Sequence, residues 1–246
     1  MSETETSTQH PAAFFKRDVS LIEFPDPRDA PFGDIVAVGG NLHPLNLRRA
    51  YARGIFPWPI EGWPLTWFSP RERAVIEFAE LKVPRSLAKV RRRAPFRFTI
   101  DAAFPEVVRA CARVTRPEEQ GTWITPDIFR AYCQLHELGD AHSVEAWEGE
   151  ALVGGLYGVD AGGAFAGESM FYLRPNASKL ALLHLIEHLK ERGLDWLDIQ
   201  VMTPHMQALG ARTIPRCDFL ERLAAARARR LKLFGAETGD EPARRV

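Results

Sequence analysis

The chain has 246 residues, and 46% of them are hydrophobic, which is enough to bury a sizeable core in one large domain or in one medium domain with a small companion. Basic and acidic residues number 32 each, so the net charge gives no global positive field of the kind that attracts nucleic acids. No apolar run approaches the roughly 20 residues of a membrane helix, and the polar start of the chain lacks the apolar core of a secretory signal, so we expect a cytoplasmic protein with no membrane contact.

The first part of the chain predicts a lead segment and a small, irregular N-terminal domain. Residues 1–20 are expected to be disordered or loose, and residues 21–73 form the small domain. Pro44 opens a short helix whose apolar residues share one face before Gly54 ends it. Residues 55–70 contain three of the six tryptophans and four prolines, a composition typical of a rigid aromatic wall rather than a flexible linker.

A larger domain is predicted over residues 74–234, followed by a tail at residues 235–246. Its first part predicts a strand at residues 74–78, a basic helix from about Arg85, a strand at residues 96–100 and a helix at residues 102–113. Thr125 is then expected to cap a helix that Gly139 ends. Residues 212–232 favour a solvated amphipathic helix.

The middle of this domain predicts three consecutive strands at residues 142–147, 152–159 and 164–173, separated by turn residues. Asn176 is expected to cap an apolar helix over residues 177–190, which leads into a strand at residues 196–201. A crossover of this kind makes the strands at residues 164 and 196 parallel and close neighbours. The predicted class is therefore α+β or α/β, with an acetyltransferase-like (GNAT-like) mixed sheet. The coenzyme loop of acyl-CoA enzymes is missing, because Arg174-Pro-Asn-Ala-Ser-Lys179 stands in its place.

One segment carries a local positive charge. Residues 82–97 include seven basic residues and no acidic one, which indicates either a nucleic-acid-binding face or a solvated helix surface. The candidate phosphate-binding side chains are Arg85, Lys89, Arg91, Arg92 and Arg93.

Three polar residues stand in strands that are otherwise apolar. Glu168 lies in the middle of one predicted strand, and Asp198 and Gln200 lie two apart on the next, hence on one face. Burying an unpaired carboxylate costs several kcal/mol, so the cluster needs a reason. One reason is a catalytic site; the other is a satisfied core network in which Gln200 bonds the backbone and Asp198 pairs with an arginine such as Arg212 or Arg216.

Ten motifs in order resemble the bacterial leucyl/phenylalanyl-tRNA–protein transferases over roughly residues 24–223. They are Gly54-Ile-Phe-Pro-Trp58, Trp67-Phe-Ser-Pro70, Gly121-Thr-Trp-Ile-Thr125, Leu135-His-Glu-Leu-Gly139, His142-Ser-Val-Glu145, Val153-Gly-Gly-Leu-Tyr-Gly158, Gly167-Glu-Ser-Met-Phe171, Asn176-Ala-Ser-Lys179, Asp198-Ile-Gln200 and Leu209-Gly-Ala211 with Ile214-Pro-Arg216. The resemblance implies an aminoacyltransferase that moves leucine or phenylalanine, and less well methionine, from Leu-tRNA or Phe-tRNA to proteins that begin with Lys or Arg, which marks them for N-degron degradation.

The resemblance also implies residue roles. Glu168 orders the aminoacyl group, whereas Asp198 and Gln200 handle the proton of the attacking amine, and we hypothesise that Asp198 polarises Gln200. The tRNA's terminal adenosine is expected at Trp58 and Trp123. The aminoacyl side chain is expected in an apolar slot, and the basic run gains the acceptor-stem phosphates as a partner. The side chains implied for the slot are Leu156, Phe165, Leu182 and Leu185.

Two rival functions remain at this point: an acyl-CoA-dependent N-acyltransferase of the same fold, and a non-catalytic RNA-binding module that uses the basic run. We expect no cofactor and no metal, because His184 and His188 are spaced like ligands but have no obvious third partner. We also expect a monomer, since no spare apolar helix face is evident.

Overall fold

The computed structural model describes residues 20–30, 33–114 and 122–235. The expectations for the lead at residues 1–19 and for the tail at residues 236–246 therefore lie outside the described residues, as does Gly121 of the Gly-Thr-Trp motif. No helix in these three described ranges is both long enough and apolar enough to cross a bilayer.

The N-terminal unit contains one helix and a small antiparallel sheet. Helix α1 spans Pro44–Tyr51, as its opening proline predicts, and the His43 side chain caps it by accepting the N–H of Leu45. Strands β1 (Ile35–Val38), β2 (Phe56–Pro57) and β3 (Thr66–Phe68) form a sheet in the order β1-β3-β2. The sequence predicts an irregular aromatic wall here, and the structure shows that part of this wall is a sheet.

The large sheet has seven strands in the order β10-β4-β9-β8-β7-β6-β5. Their bounds are β4 Glu72–Glu77, β5 Arg97–Ile100, β6 Ala141–Glu148, β7 Ala151–Asp160, β8 Phe165–Tyr172, β9 Trp196–Gln200 and β10 Arg212–Pro215. Strands β6, β7 and β8 form the predicted antiparallel meander, and helix α5 (Ala177–Glu191) makes the predicted crossover. Strands β8 and β9 are parallel neighbours, with Ala166 opposite Asp198. The predicted mixed α/β class is confirmed.

The remaining helices agree with the predictions in part. They are α2 Arg85–Arg92, α3 Phe104–Arg113, α4 Pro126–Glu137, α6 Pro204–Ala208 and α7 Arg216–Ala228. Thr125 caps α4 as predicted, since its hydroxyl accepts the N–H of Ile128 at 3.2 Å. The prediction for Asn176 is wrong in one respect, because this residue precedes α5 at φ 70° and its side chain makes no capping hydrogen bond. The helix predicted from residue 212 begins only at Arg216, because residues 212–215 pair with β4 as a strand.

Two core layers cover the two faces of the large sheet. Consecutive residues of β7 point into opposite layers. Leu156 belongs to the layer under α5 and α7, whereas Tyr157 belongs to the layer under α3 and α4. The N-terminal unit contributes Trp67 and its neighbours to the second layer. The boundary predicted between residues 73 and 74 falls inside β4, two residues after its start at Glu72, and it stays a prediction.

Candidate functional site

A β-bulge in β8 aims Glu168 out of the sheet. Tyr157 pairs with Ser169 and Gly158 pairs with Gly167, so Glu168 has no partner residue on β7. The extra residue of a bulge bends its strand and redirects its side chain, and bulges are common beside active sites. Gly158 permits the bulge, because a Cβ at this position would overlap the carbonyl oxygen of Ala166.

The Glu168 carboxylate collects three donors. Its Oε1 accepts the hydroxyl of Tyr51 at 2.6 Å and the side-chain amide of Gln200 at 2.7 Å. Its Oε2 accepts the hydroxyl of Tyr132 at 3.2 Å, and the two tyrosine hydroxyls are also hydrogen-bonded to each other. The predicted meeting of Glu168 and Gln200 is therefore present, and α1 and α4 complete it with two phenols.

Gln200 ends β9 in an unusual backbone conformation. Its φ is 62°, in the left-handed region that costs free energy for any residue with a Cβ. The Asp198 carboxylate holds this conformation, because its Oδ1 accepts the backbone N–H of Gln200 at 2.9 Å. Among the described residues, Asp198 makes no hydrogen bond to the Gln200 side chain, so the arrangement lacks the direct contact that the hypothesised polarisation of Gln200 by Asp198 requires.

Arg73 of β4 is the ion-pair partner of Asp198. Its guanidinium donates to both carboxylate oxygens, at 2.8 Å and 2.7 Å, and the two residues are 1% and 4% exposed. Phe56 and Phe219 lie against the guanidinium at 4.7 Å and 4.4 Å from their ring centroids. This bidentate geometry satisfies a charge pair that would otherwise be costly to bury.

Asp198 does pair with an arginine, as a satisfied core network requires, but the two arginines named as examples, Arg212 and Arg216, are not that partner. Arg212 lies on β10 and pairs with Glu77 at 2.7 Å. Arg216 donates to the backbone carbonyls of Gly33 and Ser69 at 3.0 Å and 2.8 Å. Arg73 lies one residue before the strand predicted at residues 74–78, whereas β4 begins at Glu72.

Burial raises the pKa of Glu168 from 4.5 to about 7. Hydrogen bonds from Tyr51, Tyr132 and Gln200 oppose that rise, whereas the negative charge of Asp198 adds to it. Burial, followed by the neighbouring Glu168 charge, raises the pKa of both tyrosines well above 10.0, so their hydroxyls remain donors. The cluster can thus exchange one proton on Glu168 near neutral pH.

This pKa predicts how stability depends on pH. Between pH 4.5 and about 7 the folded protein keeps a proton on Glu168 that the unfolded chain releases, so the free energy of unfolding falls as the pH rises through that window. Glu168→Gln lacks this titration and should gain stability relative to the wild type from about pH 5 to about pH 8 in urea unfolding. Glu150→Gln, on an exposed turn, is the control, and its free energy of unfolding should depend on pH as that of the wild type does. The raised pKa of Glu168 would be contradicted if the free energies of unfolding of Glu168→Gln and the wild type changed with pH in the same way.

Trp58 and Trp123 lie side by side, as the adenosine assignment requires. Their ring centroids are 5.9 Å apart and their planes differ by 11°. Both are partly exposed and pack on the same core layer as Tyr51 and Tyr132. Because the two indoles are already in stacking contact with each other, they offer an outer flat face to a base rather than an open slot.

The four apolar residues implied for the aminoacyl slot lie in the other core layer. Leu156, Phe165, Leu182 and Leu185 are 1–4% exposed and pack between the sheet and α5. Glu168 and Gln200 stand two residues beyond the paired positions Ala166 and Asp198 of β8 and β9. The four slot residues are nearly fully buried, and their assignment to the aminoacyl side chain stays a proposal.

The five basic residues all lie on or directly after α2 and are exposed. Arg91 forms an ion pair with Glu187 of α5, where both side chains are close to half exposed. The basic helix is thus confirmed as an element, whereas its binding of tRNA phosphates stays a proposal.

Sequence reasoning missed three residues of the site. Tyr51 and Tyr132 fit the apolar faces of their helices, and Arg73 lies just before the strand predicted from residue 74. A signal existed in each case, since a buried tyrosine hydroxyl needs a partner and a buried arginine needs a carboxylate. Within the described ranges no three His, Cys, Asp or Glu side chains cluster as metal ligands would.

Comparisons with known proteins identify the family to which this chain is similar. A family model described as leucyl/phenylalanyl-tRNA protein transferase matches residues 75–224, and the model of that transferase's N-terminal domain matches residues 40–71. A leucyl/phenylalanyl-tRNA–protein transferase of Anaeromyxobacter sp. (strain Fw109-5) is 50% identical over 224 residues, covering 90% of this chain and 95% of that protein. The protein of the same name from Syntrophotalea carbinolica is 49% identical over 208 residues, covering 85% and 90%. The structure of L-PGS from Bacillus licheniformis has a TM-score of 0.36 at 13% identity, covers 61% of this chain and 48% of that one, and is too distant to support an inference.

Proposed function

The chain belongs to the leucyl/phenylalanyl-tRNA–protein transferases, a family of aminoacyltransferases, and from this we propose that it transfers leucine or phenylalanine, and less well methionine, from aminoacyl-tRNA to the N-terminal amino group of other proteins. The acceptors are proteins that begin with Lys or Arg, and the added residue marks them for N-degron degradation. We place this reaction in the cytoplasm and assign it to a monomer.

The single observation that supports this chemistry best is the hydrogen bond of 2.7 Å between Gln200 and Glu168. The ester that joins an amino acid to tRNA is already activated, so the enzyme needs only to place an amine against the carbonyl, accept a proton and stabilise the oxyanion. An α-amino group with a pKa near 8 is partly neutral at pH 7, so a weak relay suffices. A side-chain amide held by a carboxylate, which two phenols hold in turn, fits that requirement.

The geometry supports distinct roles for the three polar residues. Gln200 donates its side-chain N–H to Glu168. This hydrogen bond turns the side-chain carbonyl oxygen of Gln200 toward an incoming amine, and no described residue donates to that oxygen. Glu168 orders the aminoacyl group through its remaining acceptor capacity. Asp198 acts through the backbone of Gln200 and is therefore a positioning residue rather than a base.

Two surfaces are proposed to bind the aminoacyl end of the tRNA. The outer face of the Trp58 and Trp123 pair stacks the terminal adenine of tRNA, and base stacking on aromatic rings is worth about 1 to 3 kcal/mol per base. The slot lined by Leu156, Phe165, Leu182 and Leu185 selects the aminoacyl side chain. Discrimination by one methylene in such a slot is limited to about 1 to 3 kcal/mol, which is why methionine is a weaker substrate rather than an excluded one.

The basic helix α2 gives a prediction for tRNA binding. Replacing Arg91, Arg92 and Arg93 by Glu should raise the KM for Leu-tRNA at least tenfold at low salt. It should also make that KM less dependent on salt, because each phosphate contact contributes about 0.7 to 0.9 to the slope of log K against log salt. Initial rates between about 50 mM and about 200 mM salt measure both. Reversal of Arg229, Arg230 and Lys232, which are exposed beyond α7, makes the same change in net charge and serves as the control. An unchanged salt slope in the α2 variant would exclude the helix from the tRNA site.

The proposed function is tested by transfer of radiolabelled leucine from Leu-tRNA to a protein whose first residue is Arg. We expect label on that protein, label from Phe-tRNA as well, and little from Val-tRNA. The same protein with an N-terminal Gly should stay unlabelled. Absence of transfer together with binding of acyl-CoA by calorimetry would instead indicate the acyl-CoA-dependent N-acyltransferase.

A further inference from the structure

A surface groove lies on the N-terminal unit beside the tryptophan pair. It has a volume of about 380 Å³ and is lined by Gly33, Asp34, Ile35, Phe68 and Arg71. This volume falls at the lower end of the range of about 300 to 1,000 Å³ that small ligands occupy. The residues that the proposed reaction uses do not line it, so its role needs a separate explanation.

The groove continues the aromatic surface of Trp58 and Trp123. The ring of Phe68, which is partly exposed, lies 6.3 Å from the ring of Trp58, and the Trp58 ring lies 5.9 Å from that of Trp123. Phe68 is opposite Ile35 on β1, so the two side chains share one face of the small sheet. The groove therefore begins one aromatic ring away from the tryptophan pair.

Charge at the groove suits a nucleotide. Arg71 is exposed, and in the part of the chain that the structure describes no carboxylate lies within ion-pair distance of its guanidinium. Its backbone is fixed nonetheless, since its N–H donates to Asp34 Oδ1 at 2.8 Å and its carbonyl accepts the N–H of Arg216 at 2.7 Å. The Arg71 guanidinium, on a fixed backbone, can thus bind a phosphate. The second carboxylate oxygen of Asp34 can accept a hydrogen bond from a ligand.

We propose that this groove binds the cytidine that precedes the terminal adenosine of aminoacyl-tRNA, an inference that rests on the proposed function. Phe68 stacks the cytosine, Arg71 binds the phosphate between the two nucleosides, and Asp34 accepts the exocyclic amino group of the base. Aspartate is a regular acceptor for the cytosine amino group, whereas uracil has no such donor. Every tRNA ends in the same nucleotides, so this site adds affinity without selecting among tRNAs.

The test compares three phenylalanyl donors: phenylalanyl-adenosine, phenylalanyl-cytidylyl-adenosine and whole Phe-tRNA. For the wild type we expect kcat/KM about tenfold higher with the dinucleotide donor than with the nucleoside donor, as one stacked base predicts. The gain should shrink when uridine replaces the cytidine. Arg71→Ala and Phe68→Leu should lose this gain while their rates with phenylalanyl-adenosine stay within about twofold of the wild type, which also shows that both variants are folded.

Trp123→Ala is the matched control, because it should weaken the use of all three donors. The proposal is overturned if the wild type gains nothing from the added cytidine, if uridine serves equally well, or if the two variants lose the same factor with every donor. A change in the KM for the acceptor protein alone would assign the groove to the acceptor instead, which also overturns it. Transfer from whole Phe-tRNA by the wild type tests the proposed function separately from these comparisons.

Discussion

Gln200→Ala is expected to lower kcat for leucyl transfer by about 10² to 10³-fold, the range found when one preorganised hydrogen-bonding group is removed from an acyl-transfer site. The KM for Leu-tRNA should change much less, because Gln200 lies at the reacting carbonyl rather than on the base-stacking or phosphate-binding surfaces. Alanine at φ 62° carries a backbone cost similar to that of glutamine, so the substitution removes the side chain without a new conformational strain.

Steady-state rates with saturating Leu-tRNA measure this effect, and single-turnover rates separate it from product release. Gln200→Gly is the matched variant, since glycine adopts a positive φ at no steric cost. It should be as inactive as Gln200→Ala and at least as stable. A kcat within about threefold of the wild type in both variants would remove Gln200 from the reaction.

The central strands of the large sheet were predictable because their signals are local. Alternating apolar residues and short turn signals define the meander of β6, β7 and β8, and an apolar helix between two strands requires a crossover into a parallel neighbour. The parallel pairing of β8 with β9 follows from that rule, whereas the register that places Ala166 opposite Asp198 does not. The small sheet of the N-terminal unit was missed because its strands are two to four residues long and the chain between them is rich in proline and aromatic residues.

The site itself was predictable only in outline. A polar residue within an apolar strand marks Glu168, but the bulge that turns its side chain toward α1 and α4 depends on how β7 and β8 pair, which no local pattern reports. The two tyrosine hydroxyls come from helices that are far from Glu168 in sequence. Their helical spacing fits an apolar stripe equally well, so periodicity could not separate a packing role from a hydrogen-bonding one.

Arg73→Met is expected to lower the free energy of unfolding by about 3 to 5 kcal/mol, because it leaves the carboxylate of Asp198 buried without a counter-charge. The same change should lower kcat, since Asp198 would no longer be held in place to fix the backbone of Gln200. Arg73→Lys should have a free energy of unfolding and a kcat between those of the wild type and Arg73→Met. Its ammonium group keeps the charge but cannot donate to both carboxylate oxygens in parallel or stack as a plane between Phe56 and Phe219. Urea unfolding and steady-state kinetics measure the two effects.

Two double variants separate a positioning role of Asp198 from a role in proton transfer. Arg73→Met with Asp198→Asn removes the buried charge and keeps an oxygen that can accept the N–H of Gln200, whereas Arg73→Met with Asp198→Leu removes both. If Asp198 acts by holding that N–H, the asparagine pair should recover stability and should retain at least tenfold more kcat than the leucine pair, a difference of about 1.4 kcal/mol in activation free energy. If the carboxylate itself must carry charge or a proton during the reaction, the two pairs should be equally inactive. The left-handed backbone of Gln200 makes the first outcome the expected one, because a residue held against its preferred conformation depends on the contact that holds it.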